Sequence, residues 1–436
     1  MKIAIVGFGR EGQSSLKYFG SNPENQITIC DVNENIEVDE GVQTQLGANY
    51  LDNLDQFDLI IRSSGINPSL ILDKNPGLRD KITTQLNEFL KVAPSKNVIG
   101  ITGTKGKGTT STLVKSILSE AGLDSVIGGN IGIPFLNLID DIKDDTYVVL
   151  ELSSFQLSDL REASPRIACC LMVAPEHLNW HKDLDDYIEA KANLFKNQSD
   201  GDIAIYFSDN ELSSSIARNS SGKLIPYFKE PGAIVQDDRI YIDGNEICEI
   251  QEVKLLGKHN LQNVCAAITV VWQISKNFEV IRRVITSFDG LEHRLEFVKE
   301  VNEVKYYNDS FAAGLAASEA AVESIDGKKV MIIGGFDRML NIEDFAYYAN
   351  ENQDQFSSIL LIGESALRIK ESLDKVGFKN YILGNNITSM KDIVKKASAV
   401  AKSGETVILS PGFASFDMFK DFEDRGNQFK EAVNSL

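Results

Sequence analysis

A strand-like run, Asn97-Val98-Ile99-Gly100-Ile101-Thr102, closes on Gly103-Thr104-Lys105-Gly106-Lys107-Gly108-Thr109-Thr110, where a helix opens. The glycines let backbone N–H groups turn inward around an anion, and the helix start adds partial positive charge. Lys107 can reach a terminal phosphate, and Thr109 or Thr110 can place a hydroxyl on Mg²⁺. The strict phosphate-loop spacing fails twice, because Ile101 stands where the first glycine belongs and Gly108 follows the lysine. A hydroxyl one residue later still lies at the helix N-terminus, so the mechanism survives. An ordinary strand-to-helix turn has no need of two lysines. The run predicts binding of a nucleotide triphosphate.

At 436 residues the chain is too long for one core and predicts two to four domains. Its composition is that of a soluble globular protein, and no stretch approaches 18 consecutive apolar residues, so no membrane span is expected. The opening Met1-Lys2-Ile3-Ala4-Ile5-Val6-Gly7 reads as a first strand, since its apolar run is short and ends in glycines. Cys30, Cys169, Cys170, Cys248 and Cys265 lack zinc spacing and mostly sit in apolar runs, which predicts buried reduced thiols and a cytoplasmic protein. The net charge of −19 argues against nucleic acid as a partner. An acidic chain that binds phosphates must gather its cations locally, and Lys105 with Lys107 is one such gathering.

Three segments follow along the chain. The first alternates a strand (Lys2 to Val6), the glycine turn Gly7-Phe8-Gly9-Arg10-Glu11-Gly12, a helix, a strand ending at Asp31, and a strand running into Ser63-Ser64-Gly65. Such βαβ alternation implies a parallel sheet with ligands at the C-terminal ends of its strands. The second segment starts near Pro94 and ends near Gly290, and the third again alternates strands and helices. Gly7-x-Gly9-x-x-Gly12 followed by Asp31 fits a dinucleotide fingerprint, with the acid on a ribose hydroxyl. That motif keeps an NAD-dependent oxidoreductase as the rival reading, although a simple dehydrogenase has no role for the second glycine loop.

Further polar clusters stand at strand ends. Glu151 ends a buried strand beside the phosphate loop, where a carboxylate is placed for Mg²⁺. All four histidines, His177, His181, His259 and His293, lie in runs rich in Asn, Glu or Arg. Lys191 reads by periodicity as an ordinary exposed helix lysine. In the third segment Asn308-Asp309-Ser310, Gly334-Gly335 and Ser410-Pro411 end three strands, predicting one ligand-binding edge.

Together the motifs resemble the Mur ligase family of ATP-dependent amide-forming ligases, over essentially the full chain and in the same order. The specific ones are the Gly103-to-Thr110 loop, Gly129-Asn130-Ile131-Gly132, Glu151-Leu152-Ser153-Ser154-Phe155-Gln156, Glu176-His177, Gly257-x-His259-Asn260-x-x-Asn263, His293-Arg294, Asn308-Asp309-Ser310 and the Ser410-to-Gly426 stretch. The resemblance implies an α/β protein of three domains, each on a mainly parallel sheet. They would be a Rossmann-like UDP-sugar domain over 1–92, a central phosphate-loop ATPase-like domain over 93–290 and a Rossmann-like amino-acid domain over 291–436. It implies addition of D-glutamate to UDP-N-acetylmuramoyl-L-alanine through an acyl phosphate, in cytoplasmic peptidoglycan precursor synthesis, by a monomer with two Mg²⁺ ions.

The resemblance also implies roles. Gly103 through Thr110 would cradle ATP with Lys107 on its terminal phosphates, and Asn260, Asn263, Arg294 and Asp309 would contact it too. Thr109, Glu151 and His177 would hold magnesium, and Lys191 would be carbamylated and orient the second ion. Gly9, Arg10, Asp31, Ser63 and Gly65 would meet the uridine diphosphate end, with Asn130, Ser153 and Gln156 at the muramoyl-alanine end. Arg338, Ser415, Phe416 and Phe422 would hold the amino acid. The sequence departs from the family where Phe311-Ala312-Ala313 replaces Lys-Ala-Thr, which removes an amino-acid anchor. Arg338 stands where a lysine is common, and its bidentate geometry still suits an anionic side chain. Lys107-Gly108-Thr109 is similar to the folylpolyglutamate branch, which keeps a different acidic amino acid open.

Overall fold

Three of the apolar runs, Lys2–Val6, Gln26–Asp31 and Leu59–Arg62, are adjacent strands of one sheet, with Gln43–Leu46 and Ile82–Thr83 at its edges and every pairing parallel. The central strand shows why such a run is continuously apolar. Ile3 and Ile5 pack with Ile29 and Ile61 on one face, while Ala4 and Val6 pack with Cys30 and Ile60 on the other. Side chains alternate in a strand, so a sheet covered on both faces needs apolar residues at every position.

The computed structural model describes residues 1–130 and 132–436; Ile131 of the Gly129-to-Gly132 motif lies outside the described residues. The chain forms two compact units, one of Met1–Glu252 with His259–Thr286, the other of Val253–Lys258 with Ser287–Leu436. Besides the first sheet, the first unit holds a six-stranded parallel sheet in the order Lys223–Tyr227, Ile203–Phe207, Ile167–Cys170, Val98–Thr102, Tyr147–Glu151, Ser125–Gly129. It also holds a small antiparallel sheet of Ile234–Gln236, Arg239–Ile242 and Asn245–Glu249.

The second unit carries one six-stranded sheet, ordered Glu296–Val301, Val304–Asn308, Thr406–Leu409, Lys329–Gly334, Phe356–Ile362, Tyr381–Leu383. Only its first pair is antiparallel. Asn308, Leu409 and Gly334 therefore end neighbouring strands on one edge, as the polar turns after them predict. Apolar cores cover both faces here too, with Met331 and Ile333 on one and Val330 and Ile332 on the other.

All five cysteines are free and buried. Burial pushes the thiols of Cys30 and Cys248 up to about 12 and that of Cys170 to about 11, and raises Cys169 and Cys265 as well. Among the described residues no helix is long and apolar enough to cross a membrane.

Candidate active site

The central strand Val98–Thr102 has Tyr147–Glu151 on one side and Ile167–Cys170 on the other, and the chain fills one side before crossing to the other. Its C-terminal end thus opens at the point where strand order reverses, the crevice in which open α/β sheets bind ligands. Gly106 starts the helix Lys107–Glu120 at φ +89°, and a Cβ there would stand 2.1 Å from Asn263 Oδ1. Only glycine fits. Thr102 Oγ1 donates to the Leu152 carbonyl at 2.8 Å, and Thr104 Oγ1 accepts from Ala174 N–H at 3.0 Å and lies 2.8 Å from the Tyr187 hydroxyl. These bonds pin the loop to its neighbours. Lys107 Nζ donates to the carbonyls of Gly103 (3.0 Å) and Thr104 (2.9 Å). Lys105 is exposed, whereas Gly108, Thr109 and Thr110 are buried in the first helical turn. Thr110 Oγ1 and Ser111 Oγ have no hydrogen-bond partner among the described residues.

Lys191 overturns its reading as an exposed helix lysine. Its side chain is 1% exposed, and Nζ donates to the Gly103 carbonyl at 2.9 Å, the acceptor that Lys107 also uses. The helix Leu184–Ala192 buries Tyr187, Ala190 and Lys191 on one face, with the ammonium 4.5 Å from the Tyr187 ring centre. Burial first, and then the nearby Lys107 charge, bring its pKa down to about 7. Its place four residues after Tyr187 and next to Ala190, on the buried stripe of the helix, is the cue that could have found it.

Glu151 is buried at the end of its strand, with one carboxylate oxygen accepting from Asn130 Nδ2 at 2.7 Å; Asn130 N–H donates to the Glu151 carbonyl at 2.9 Å. His177 is half-exposed at φ +58°, with Phe155 against its ring at 4.8 Å. Burial, with Lys107 and Lys191 acting against Glu176, lowers its pKa and favours the neutral imidazole that ligates metals. His181, by contrast, is enclosed between Ser154 Oγ and Asp186 Oδ2, each at 2.9 Å. Asn263 Nδ2 donates to Asn260 Oδ1 at 2.9 Å beside the loop glycine. Among the described residues no three His, Cys, Asp or Glu side chains form a metal cage by themselves. Magnesium keeps waters and takes ligands from substrate phosphates, so one or two protein carboxylate or imidazole donors at such a site suit it.

A cavity of about 460 Å³ opens elsewhere in the first unit, between the glycine turn of the first sheet and the Gly129–Asn130 end of the second. It brings together Gly9, Arg10, Asp31, Ser63, Gly65, Asn130 and Gln156. Ser153 is not among its walls, because its hydroxyl forms a capping box with Gln156 at the start of Ser154–Leu157. Asp31 accepts from Phe8 N–H at 2.7 Å and from Asn33 N–H at 2.8 Å, leaving lone pairs for a ligand hydroxyl. A Cβ at Gly12 would sit 2.2 Å from the Gly7 carbonyl oxygen, so the turn closes only with glycine.

Sequence reasoning missed the residue that holds this cavity in shape. Arg62 is 1% exposed and ends the strand Leu59–Arg62. Its guanidinium bonds Asp159 at 2.9 Å, the carbonyls of Ser63, Ser64 and Ile66, and Phe155 O with Ser158 Oγ on the second sheet's side. Its only signal in the sequence is a charge closing an apolar run.

In the second unit Asp309 is buried, accepting from Leu295 N–H at 3.1 Å and Ser410 Oγ at 2.6 Å. Burial pushes its carboxyl up to about 7 against those bonds and the charges of Arg294 and Arg425. Arg294 lies over the Phe311 ring at 5.5 Å, and Phe311 meets Phe422 edge-on at 5.1 Å. The residue that replaces the family's lysine therefore forms an aromatic seat for a neighbouring cation. Arg338 lies 5.8 Å over exposed Phe416, while Ser415 is buried. Buried Arg425, also missed, bonds Ser310 Oγ (2.9 Å), Ser310 O (2.8 Å) and Phe413 O (3.1 Å), tying two of the strand-end loops together.

A glycine loop with paired lysines at the switch point of one parallel sheet, in a chain with two further open sheets, has the form of a nucleotide-binding α/β protein. The chain belongs to the Mur ligase family: residues 101–271 match the Mur ligase middle domain and residues 293–413 match the Mur ligase, glutamate ligase domain. It is 37% identical to UDP-N-acetylmuramoylalanine–D-glutamate ligase of Clostridium tetani over all of this chain and 97% of that one. The ligase of the same name from Clostridium novyi is 38% identical, over 91% of this chain and 87% of that one. Among solved structures, the fold is similar to MurF ligase from Thermotoga maritima in complex with ADP (TM-score 0.61, 16% identity, 99% and 95% covered). It is also similar to UDP-N-acetylmuramate-alanine ligase MurC from the same organism (TM-score 0.59, 17% identity, 100% and 99% covered).

Proposed function

We propose that this chain joins D-glutamate to UDP-N-acetylmuramoyl-L-alanine at the expense of ATP, in the cytoplasm, as a step toward peptidoglycan. The convergence of Lys107 and Lys191 on the Gly103 carbonyl, with Glu151 on the next strand, carries this reading. The names of relatives that match over 100% and 91% of the chain supply the substrates.

A carboxylate resists amide formation because its oxygen leaves badly. Transfer of the γ-phosphoryl group of ATP to the substrate carboxylate makes an acyl phosphate; the amine of glutamate adds to its carbonyl, and phosphate leaves as the amide forms. The protein's share is positioning and charge neutralisation. Lys107 leaves its two carbonyl acceptors for the terminal phosphates, and Gly103 through Thr110 turn their N–H groups toward the phosphate chain. Asn260, Asn263, Arg294 and Asp309 hold the rest of ATP. Arg338, Ser415, Phe416 and Phe422 receive D-glutamate, and the cavity of Arg10, Asp31, Asn130 and Gln156 receives the sugar nucleotide. The buried Glu151 carboxylate and the neutral His177 imidazole fit magnesium, with Thr109 at the helix start, and the ion there supplies charge neutralisation between phosphate and carboxylate. Lys191 is suited to carbamylation: at a pKa of about 7 its neutral amine adds to CO₂, a C–N bond forms and a proton leaves, giving an anionic oxygen donor.

The test is a coupled assay with ATP, Mg²⁺ and UDP-N-acetylmuramoyl-L-alanine, screening D- and L-amino acids for ADP release. D-glutamate should be the best acceptor by at least an order of magnitude. ADP release with another amino acid preferred, or none at all, would reject the assignment.

A further inference from the structure

The turn Gly7-Phe8-Gly9-Arg10-Glu11-Gly12 places an acid in the first turn of the helix Arg10–Gly20, beside a cavity read as the site of an anionic sugar nucleotide. Both of its carboxylate oxygens are engaged. Glu11 Oε2 accepts from Ser64 N–H at 2.6 Å, and Oε1 accepts from Gln156 Nε2 at 3.1 Å. Gln156 is 3% exposed, and its own Oε1 accepts from Ser153 N–H at 3.0 Å. These two neighbours fix the amide. A flipped Gln156 would set N–H against N–H at Ser153 and oxygen against carboxylate at Glu11. The second N–H of Gln156 has no acceptor among the described residues, and both Glu11 and Gln156 line the cavity.

We propose that Glu11 is a positioning residue for the sugar nucleotide. It draws the Ser64 loop of the first sheet and Gln156 beside the second sheet to one carboxylate, and holds Gln156 as an N–H donor toward an oxygen of the ligand. The proposal rests on the reading of this cavity as the sugar-nucleotide site.

Charge alone predicts the opposite of positioning. A carboxylate near a diphosphate repels it, so neutralising Glu11 should tighten binding. If Glu11 positions, Glu11→Gln must weaken binding, because an amide offers one acceptor oxygen where two are used, and its NH₂ then faces Ser64 N–H or the Gln156 amide. Glu11→Asp keeps the charge but is one methylene too short to span both donors.

The experiment is calorimetric titration of UDP-N-acetylmuramoyl-L-alanine into the full-length wild type, Glu11→Gln and Glu11→Asp, with steady-state kinetics on the same preparations. Both variants should bind about tenfold more weakly, in keeping with a lost hydrogen bond to a charged group. KM for the sugar nucleotide should rise in parallel, while kcat and the KM for ATP stay within about twofold. Binding by Glu11→Gln as tight as wild type or tighter overturns the proposal, and so does an equal rise in the KM for ATP. Should Glu11→Gln fail to fold, Glu11→Asp decides between the same outcomes. A wild-type chain that does not bind the sugar nucleotide would sink the functional reading and this proposal together; binding by wild type with unchanged variants sinks this proposal alone.

Discussion

The first unit contains two glycine turns between a buried parallel strand and a helix start, and they differ in charge: one is cationic, the other balances Arg10 against Glu11. The turn after Val98–Thr102 gathers Lys105, Lys107 and the buried Lys191, whereas the turn after Lys2–Val6 holds Glu11 on the Ser64 loop and Gln156. Backbone N–H groups and a helix N-terminus give both turns a general attraction for anions. The side chains decide what the attraction is used for. Cations that crowd one carbonyl suit a triphosphate whose charge shifts during reaction. An acid with an N–H donor on each oxygen serves shape.

The strongest challenge to this contrast is removal of Arg62, which fixes the Ser63-to-Ile66 loop facing the Glu11 turn. Arg62→Ala leaves buried Asp159 with half-exposed Arg79, 3.0 Å away, as its remaining ion-pair partner among the described residues, and should cost about 3 kcal/mol of stability in denaturant titration, the low end for a broken buried ion pair. A loss below about 1 kcal/mol would mean that the loop keeps its shape unaided. Lys107→Ala should lower turnover on the order of 10²-fold or more, comparable to removal of an oxyanion donor, with affinity for the sugar nucleotide unchanged. A parallel loss of sugar-nucleotide affinity would show that the two turns are not separate in role.

The smallest effect is a shift in titration. Only a neutral amine adds to CO₂, so a ¹³C carbamate signal should be absent well below pH 7 and grow as pH rises through about 7. It should vanish in Lys191→Ala. Because Lys107 helps to lower the Lys191 pKa, Lys107→Ala should move the midpoint to higher pH. A midpoint that stays put would separate the two lysines electrostatically.

Apolar runs made the strands legible because sheets buried on both faces leave no room for polar interruptions. The glycine loop was legible because its glycines serve the backbone, and backbone needs are local. The burial of Lys191 was not, since it depends on a carbonyl 88 residues away in sequence. The same holds for Arg62, whose partner Asp159 comes from beside a different sheet, and for Arg425, which bridges loops that only the folded second unit brings together. Seven of the eight expected sugar-nucleotide residues meet in one cavity, and the eighth, Ser153, spends its hydroxyl on a helix start that the motif itself encodes.

The five sealed cysteines have a practical corollary. Thiolate is the reactive form of cysteine, and burial both hides these sulfurs and keeps them protonated at neutral pH. A single cysteine engineered at any exposed position would then react alone with maleimides or spin labels under native conditions. Fluorophores could report on either unit with no need to strip the chain of its own sulfur first.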